Sequence, residues 1–283
     1  MVGYEASRAW SEYMNVVKMG ILNFDLTDFD ALTTPQAIGG HSTECSSQSV
    51  FGRVNYSFAD RYLLEANIRH DGSSRFAPRS RWGTFPSVSA GWRISQEKFM
   101  EDVSWLTNLK LRASWGKLGN NSIGDFIWQS YYSTVRYTFD GKYVNGLRMN
   151  TLPNTSLHWE STAVANVGID FSFLGSRLAG SIEYYDKRTN GILYAPHMQP
   201  TLSDYTPPMQ NFAKVANSGV ELTVDWNDNI RDWSYGVSGN FSFNKNRITR
   251  LKGDLIREWR TDENGNQYYS VSYTHLRDHE TAA

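Results

Sequence analysis

The sequence predicts an all-β fold, a transmembrane up-and-down antiparallel β-barrel. Three observations predict it: long runs of alternating apolar and polar residues, the alternation of short and long joints between them, and aromatic residues gathered at one end of the runs.

Alternation with period 2 puts one chemistry on each face of a sheet. In 52–58, Val54, Tyr56 and Phe58 oppose Arg53, Asn55 and Ser57. In 62–69, Tyr62, Leu64, Ala66 and Ile68 oppose Glu65, Asn67 and Arg69; in 87–94, Val88, Ala90, Trp92 and Ile94 oppose Ser87, Ser89 and Arg93. The pattern returns in 108–116, where Leu109, Leu111, Ala113 and Trp115 face away from Lys110, Arg112 and Ser114. It continues in 162–173 (Ala165, Val167, Ile169 and Phe171 against Asn166 and Asp170) and in 178–187 (Leu178, Ile182 and Tyr184 against Ser181 and Glu183). The last two runs are 218–226 (Val220, Leu222, Val224 and Trp226 against Glu221, Thr223 and Asp225) and 233–243 (Tyr235, Val237, Phe241 and Phe243 against Ser238, Asn240 and Ser242). Runs of roughly nine residues exceed the usual globular strand of about five or six. Tilted at ~45°, they cover nearly the ~25 Å apolar band of an outer-membrane barrel.

The joints supply the second observation. Residues 59–61 form a tight turn, 70–86 a long loop, 95–107 a shorter connector, 117–161 a long one, 174–177 a tight turn, 188–217 a long loop and 227–232 a short turn. An up-and-down barrel has this parity, with short periplasmic turns and longer outer loops. A Greek-key sandwich has no reason to keep it. Phe58 and Tyr62, Phe171 and Phe173, and Trp226 and Trp233 flank the short turns on the apolar face, where an interfacial girdle places amphipathic rings. The polar face decides less, because it is wet both in a barrel lumen and on a soluble sheet.

Residues 1–49 form a poorly defined loop or strand region. Within them 6–19 reads as a short helix, 14–24 as an overlapping strand, and 26–44 as a polar loop with Pro35 and Gly39-Gly40. Residues 50–251 are the barrel segment, with a further strand weakly indicated near 126–139. Residues 252–283 read as an outer loop followed by a tail, 271–283, without strand alternation, expected to be non-native.

Composition excludes several classes. Lysine plus arginine number 28 against 29 acidic residues, a balance without the basic surplus of a nucleic-acid binder. A mean hydropathy of −0.51 gives no helical membrane span, and the single cysteine, Cys45, allows no intramolecular disulfide. The opening residues lack the basic and apolar regions of a signal peptide, so for an exported protein the native N-terminus is expected upstream. His275 and His279 have metal-pair spacing but no third ligand, and Asp71-Gly72-Ser73-Ser74-Arg75 lacks the carboxylate series of a calcium loop. No phosphate loop or acid–base pair is evident, so neither a cofactor nor an enzymatic activity is expected.

Six blocks in order resemble the barrel of the SusC/RagA family of TonB-linked outer-membrane transporters. They are GRVNYSFADRYLLEANIRHDGSSRF from Gly52, FPSVSAGWRISQEKFM from Phe85, LTNLKLRASWGKLGNNSIGDF from Leu106, LHWESTAVANVGIDFSFL from Leu157, IEYYDKRTNGILY from Ile182 and NFAKVANSGVELTVDW from Asn211. The resemblance implies part of a 22-stranded barrel in the outer membrane of a Gram-negative, Bacteroidetes-like cell. It also implies outer-membrane lipid and a SusD-like surface lipoprotein as partners, TonB engaged through an N-terminal region absent here, and an oligosaccharide or peptide as cargo. Arg53, Arg69, Arg75, Arg79 and Arg93 are the candidate lumen or ligand contacts. A secreted carbohydrate-binding β-sandwich or surface adhesin is the alternative, because it shares the aromatic richness and the alternation.

The two faces make a direct prediction. In the full-length protein, Leu222→Arg on the lipid face impairs assembly by roughly 2–4 kcal/mol near the midplane, and Thr223→Arg is far milder. The folded outer-membrane fraction measures both, and equal effects count against a barrel.

Overall fold

The computed structural model describes residues 1–21, 32–195, 206–251, 257–261 and 267–271. It contains β1 (Val2–Ile21), β2 (Leu32–Phe58), β3 (Tyr62–Ser73), β4 (Trp82–Arg93), β5 (Leu106–Asn120), β6 (Tyr131–Phe139), β7 (Lys142–Thr151), β8 (Glu160–Phe173), β9 (Leu178–Tyr194), β10 (Gln210–Ile230), β11 (Trp233–Leu251), β12 (Arg257–Thr261) and β13 (Gln267–Val271). Nine of these form one antiparallel sheet in the order β1-β2-β3-β4-β5-β8-β9-β10-β11. Each strand pairs with the next in the chain, apart from the β6–β7 hairpin inserted between β5 and β8. This is the up-and-down wall of a barrel, not closed within the described residues. A sandwich would instead split its strands between two sheets.

The strand register carries the apolar pattern from strand to strand. Phe58, Tyr62, Trp92, Leu111, Ile169, Ile182, Leu222 and Phe241 are successive cross-strand partners from β2 to β11. A second row runs Tyr56, Leu64, Ala90, Ala113, Val167, Tyr184, Val220 and Phe243. The row between them has the opposite face and is mostly polar: Ser57, Leu63, Gly91, Arg112, Gly168, Glu183, Glu221 and Ser242. Val54 stays 67% and Val237 68% exposed, so no layer of the described residues covers the apolar face. A continuous apolar face this large does not stand in water.

Rings mark the short-turn end of that face. Tyr62 stacks on Trp92 at 6.4 Å between centroids, Phe58 lies 6.3 Å from Tyr62, and Phe173 packs on Phe171 at 5.3 Å and on Trp105 at 5.6 Å. Glu97, in the connector after β4, accepts hydrogen bonds from the Tyr62 hydroxyl at 2.7 Å, the Trp92 indole at 3.0 Å and Arg61 at 2.9 Å. Hydrogen bonds from Tyr62 and then Trp92, with the Arg61 charge, hold the Glu97 carboxyl below the ordinary glutamate range. The ladder thereby fixes the girdle to its turn.

Several strands exceed their predicted lengths, because alternation fades once a strand leaves the membrane and both faces are wet. β1 occupies most of the first twenty residues, so 6–19 is strand and not helix, and β2 takes in most of the expected loop at 26–44. A hairpin this long tolerates Pro35 and Gly39-Gly40 because much of it stands above any lipid. The joint lengths also differ from expectation at one place. With β3 ending at Ser73 and β4 starting at Trp82, the outer loop 74–81 is shorter than the inner connector 94–105. The β6–β7 hairpin turns at Asp140-Gly141, both with positive φ, a primed turn that the Asp-Gly pair signals in the sequence. Ala59 and Asp60 form the β2–β3 turn with positive φ at both positions, and Phe58 O accepts from Arg61 N. The histidine pair of the tail lies outside the described residues.

Four cross-strand pairs set a ring against a glycine: Gly3–Phe51, Gly72–Trp82, Gly180–Phe171 and Gly219–Tyr185. In each, the ring lies where a Cβ would be, covering backbone that glycine leaves bare. Gly180→Ala would press its Cβ against Thr223 O as well as the Phe171 ring. The expected cost is about 1–3 kcal/mol, measured by denaturant unfolding of the full-length protein in detergent.

Candidate functional site: the inner face and the outer rim

The inner face is polar and paired. Arg112 of β5 reaches Asp170 of β8 at 3.1 Å and Glu183 of β9 at 2.6 Å, tying three neighbouring strands. Arg53 bonds Glu65 at 2.7 Å, and Asn67 donates to the same carboxylate at 2.9 Å. Between these groups lies a concavity of about 570 Å³ lined by Glu65, Lys110, Arg112, Ser114 and Asn166. Lys110 has no ion-pair partner among the described residues, and the Asn166 carbonyl oxygen is buried without a hydrogen bond.

The candidate arginines do not converge on one site. Arg53 lies at mid-wall. Arg69 is higher on the inner face, held by Asp71 at 2.7 Å, Glu5 at 2.9 Å and Ser49, with its guanidinium over the Phe51 ring. Arg93 is at the short-turn end, donating to Asp60 O at 3.5 Å. Arg75 and Arg79 are on the outer loop 74–81, outside the strands.

Arg75 is held by protein partners. It bonds Asp125 at 2.9 Å and Asn121 O at 3.3 Å, and lies 3.9 Å from Cys45 Sγ. It therefore fastens the β3–β4 loop to the segment after β5. Next to it, Phe76 and Leu157 are fully buried and pack with Ile123, Trp128, Trp159 and Met209. This small core at the outer rim joins four segments, 74–81, 121–130, 152–159 and 206–209, whose contacts local sequence patterns do not reveal. Asn211 completes it, accepting from His158 N and donating to His158 O and Gly191 O. Gly191, at φ +69, allows the chain to turn there.

A wall with one lipid-compatible face, one polar face and a loop-built outer rim defines an outer-membrane barrel protein. The family model for TonB-dependent receptor-like β-barrels matches residues 7–276. The chain belongs to that family, whose members are transporters and not enzymes. The match continues past Leu251, the end of the barrel segment read from the sequence, to residue 276. The chain is 34% identical over 258 residues to the TonB-dependent receptor SusC of Bacteroides thetaiotaomicron, covering 89% of this chain and 24% of SusC. It is also 34% identical over 255 residues to the TonB-dependent receptor P39 of Formosa agariphila, covering 89% of this chain and 24% of P39. Among solved structures it is similar to the RagAB peptide importer in its open-open state, with TM-score 0.80 and 26% identity over 95% of this chain and 29% of that one. The chain thus spans about a quarter of the length of the curated relatives.

The Arg75 tether is testable. Arg75→Ala leaves Asp125 without its cation and is expected to weaken the rim by about 1–3 kcal/mol. Hydrogen exchange in the full-length protein reads it as faster exchange at 73–76 and 121–125, with β8 to β10 unchanged.

Proposed function

We propose that this chain is part of the barrel of a TonB-dependent transporter in the outer membrane of a Bacteroidetes-like Gram-negative cell. In this reading, the transporter imports oligosaccharides or peptides with a SusD-like lipoprotein over its outer rim and with energy from TonB. The observation that carries the reading is the pair of apolar rows crossing β2 to β11, outward-facing and uncovered, over a polar inner face. The likeness to SusC and to the RagAB importer supports the same class, and because RagAB is a peptide importer, peptides stand beside glycans as candidate cargo.

In this reading Arg53, Arg69 and Arg93 border the passage used by the cargo or the plug, with their acidic neighbours holding them in place. Arg75 shapes the rim by fastening loops. The inner concavity beside Lys110 and Arg112 is where a polar plug surface or cargo would rest.

Fractionation of cells expressing the full-length gene tests location, and uptake of labelled oligosaccharide or peptide tests transport. The expected outcome is recovery in the outer membrane and uptake that fails without TonB or the neighbouring lipoprotein. Recovery in the periplasm or cytoplasm overturns the reading.

A further inference from the structure

Above the apolar rows, the outward face changes character on one side of the wall. Two residues beyond Trp115 on the same face of β5 is Lys117, and two beyond Phe243 on β11 is Lys245. Lys117, Ala163, Arg188, Ala216 and Arg247 are successive cross-strand partners. One step higher, Asn190 pairs with Lys214, and Lys214 with Arg250. Two residues rise ~7 Å along a strand, or roughly 5 Å along the membrane normal at ~45° tilt, so these side chains stand at headgroup level.

The charge there is one-sided. Asp186 is the only acid in these rows, and Arg188 holds it at 2.8 Å. Lys117, Lys214, Lys245, Arg247 and Arg250 have no acidic partner among the described residues. The β1–β2 end of the wall differs, since its outward Arg8 is matched by Glu44 at 2.8 Å.

The same region is hollow. β4 and β5 pair only from Ser87–Gly116 to Arg93–Lys110, and they separate above that point. The gap opens into a hollow of about 890 Å³ lined by Arg79, Lys117, Lys214 and Arg250 over the rings of Trp82 and Trp159, with no Asp or Glu in its lining. Basic side chains around an aromatic floor, continuous with a lipid-facing belt, complement an anionic headgroup whose acyl chains lie against that belt.

We propose that this hollow binds the phosphorylated headgroup of an outer-leaflet glycolipid. Lys117, Lys214 and Arg250 contact the phosphate, and Arg79 closes over it from the loop. The apolar rows of β8 to β11 receive the acyl chains. The inference rests on the outer-membrane reading above.

The test uses full-length protein extracted from outer membranes in mild detergent. Bound phosphorylated glycolipid per protein is measured by native mass spectrometry and by organic phosphate. Lys214→Glu combined with Arg250→Glu is expected to lower it by roughly tenfold, because each basic side chain strengthens attraction to an anionic headgroup surface. Asn246→Glu, between Lys245 and Arg247 but on the inner face, is expected to retain it. Arg79→Gln, on a loop outside the strand ladder, is expected to give a smaller loss without touching barrel assembly. Unchanged glycolipid in the double variant overturns the proposal, and so does equal loss in Asn246→Glu. Loss of a co-purifying protein with the glycolipid retained also overturns it, because the hollow then serves a protein partner. Wild-type protein in the outer membrane without bound glycolipid overturns this inference alone. Wild-type protein absent from the outer membrane overturns the location reading and, with it, this one.

Discussion

The fold depends on one constraint: in hydrocarbon, every backbone N–H and C=O must find its partner within the protein. A meander of antiparallel strands satisfies it strand by strand, with each ladder formed by chain neighbours from β1 to β5 and from β8 to β11. The ladder fixes the register, and the register puts eight successive apolar partners in one row. A slip of one residue in any pair would turn a strand's charges outward. β1 and β11, each with one partner strand among the described residues, are the edges at which that requirement passes to further strands.

The same constraint inverts the usual placement of hydrophobic residues. The large apolar side chains of the wall are exposed, and the buried cluster lies at the outer rim, where Phe76, Ile123 and Leu157 meet. Only there do loops have water on the far side and need a core to hold a shape. The wall holds its shape through the ladder, through rings laid over glycines, and through ion pairs that link neighbouring strands on the wet face. Arg112 with Asp170 and Glu183 is the clearest of these pairings.

The rim and the inner face are built differently. The inner face offers charges largely paired within the wall, with Lys110 the exception among those lining its concavity. The rim is built from segments distant in the chain, and Arg75, Asn211 and Trp159 fasten them to one another. The hollow beside them lies above the outward apolar rows and shares Trp159 and Asn211 with the rim.

Alternation in Tyr62–Ile68 or Val220–Trp226 is sufficient to assign strand, face and lipid side, because a period of 2 follows from backbone geometry alone. Turn spacing and ring placement then give the topology. The upper half of the strands is not legible, since above the membrane both faces are wet and the pattern fades; for that reason β1 reads as strand only from residue 14 and most of β2 reads as loop. The Asp140-Gly141 hairpin was legible in principle from its turn pair. The five arginines show the deeper limit. Their residue type suggested ligand contact, but which acid each one meets depends on register and loop closure. Arg75 finds Asp125 fifty residues away because two loops share a core, and a tertiary contact of that kind has no local periodicity to announce it.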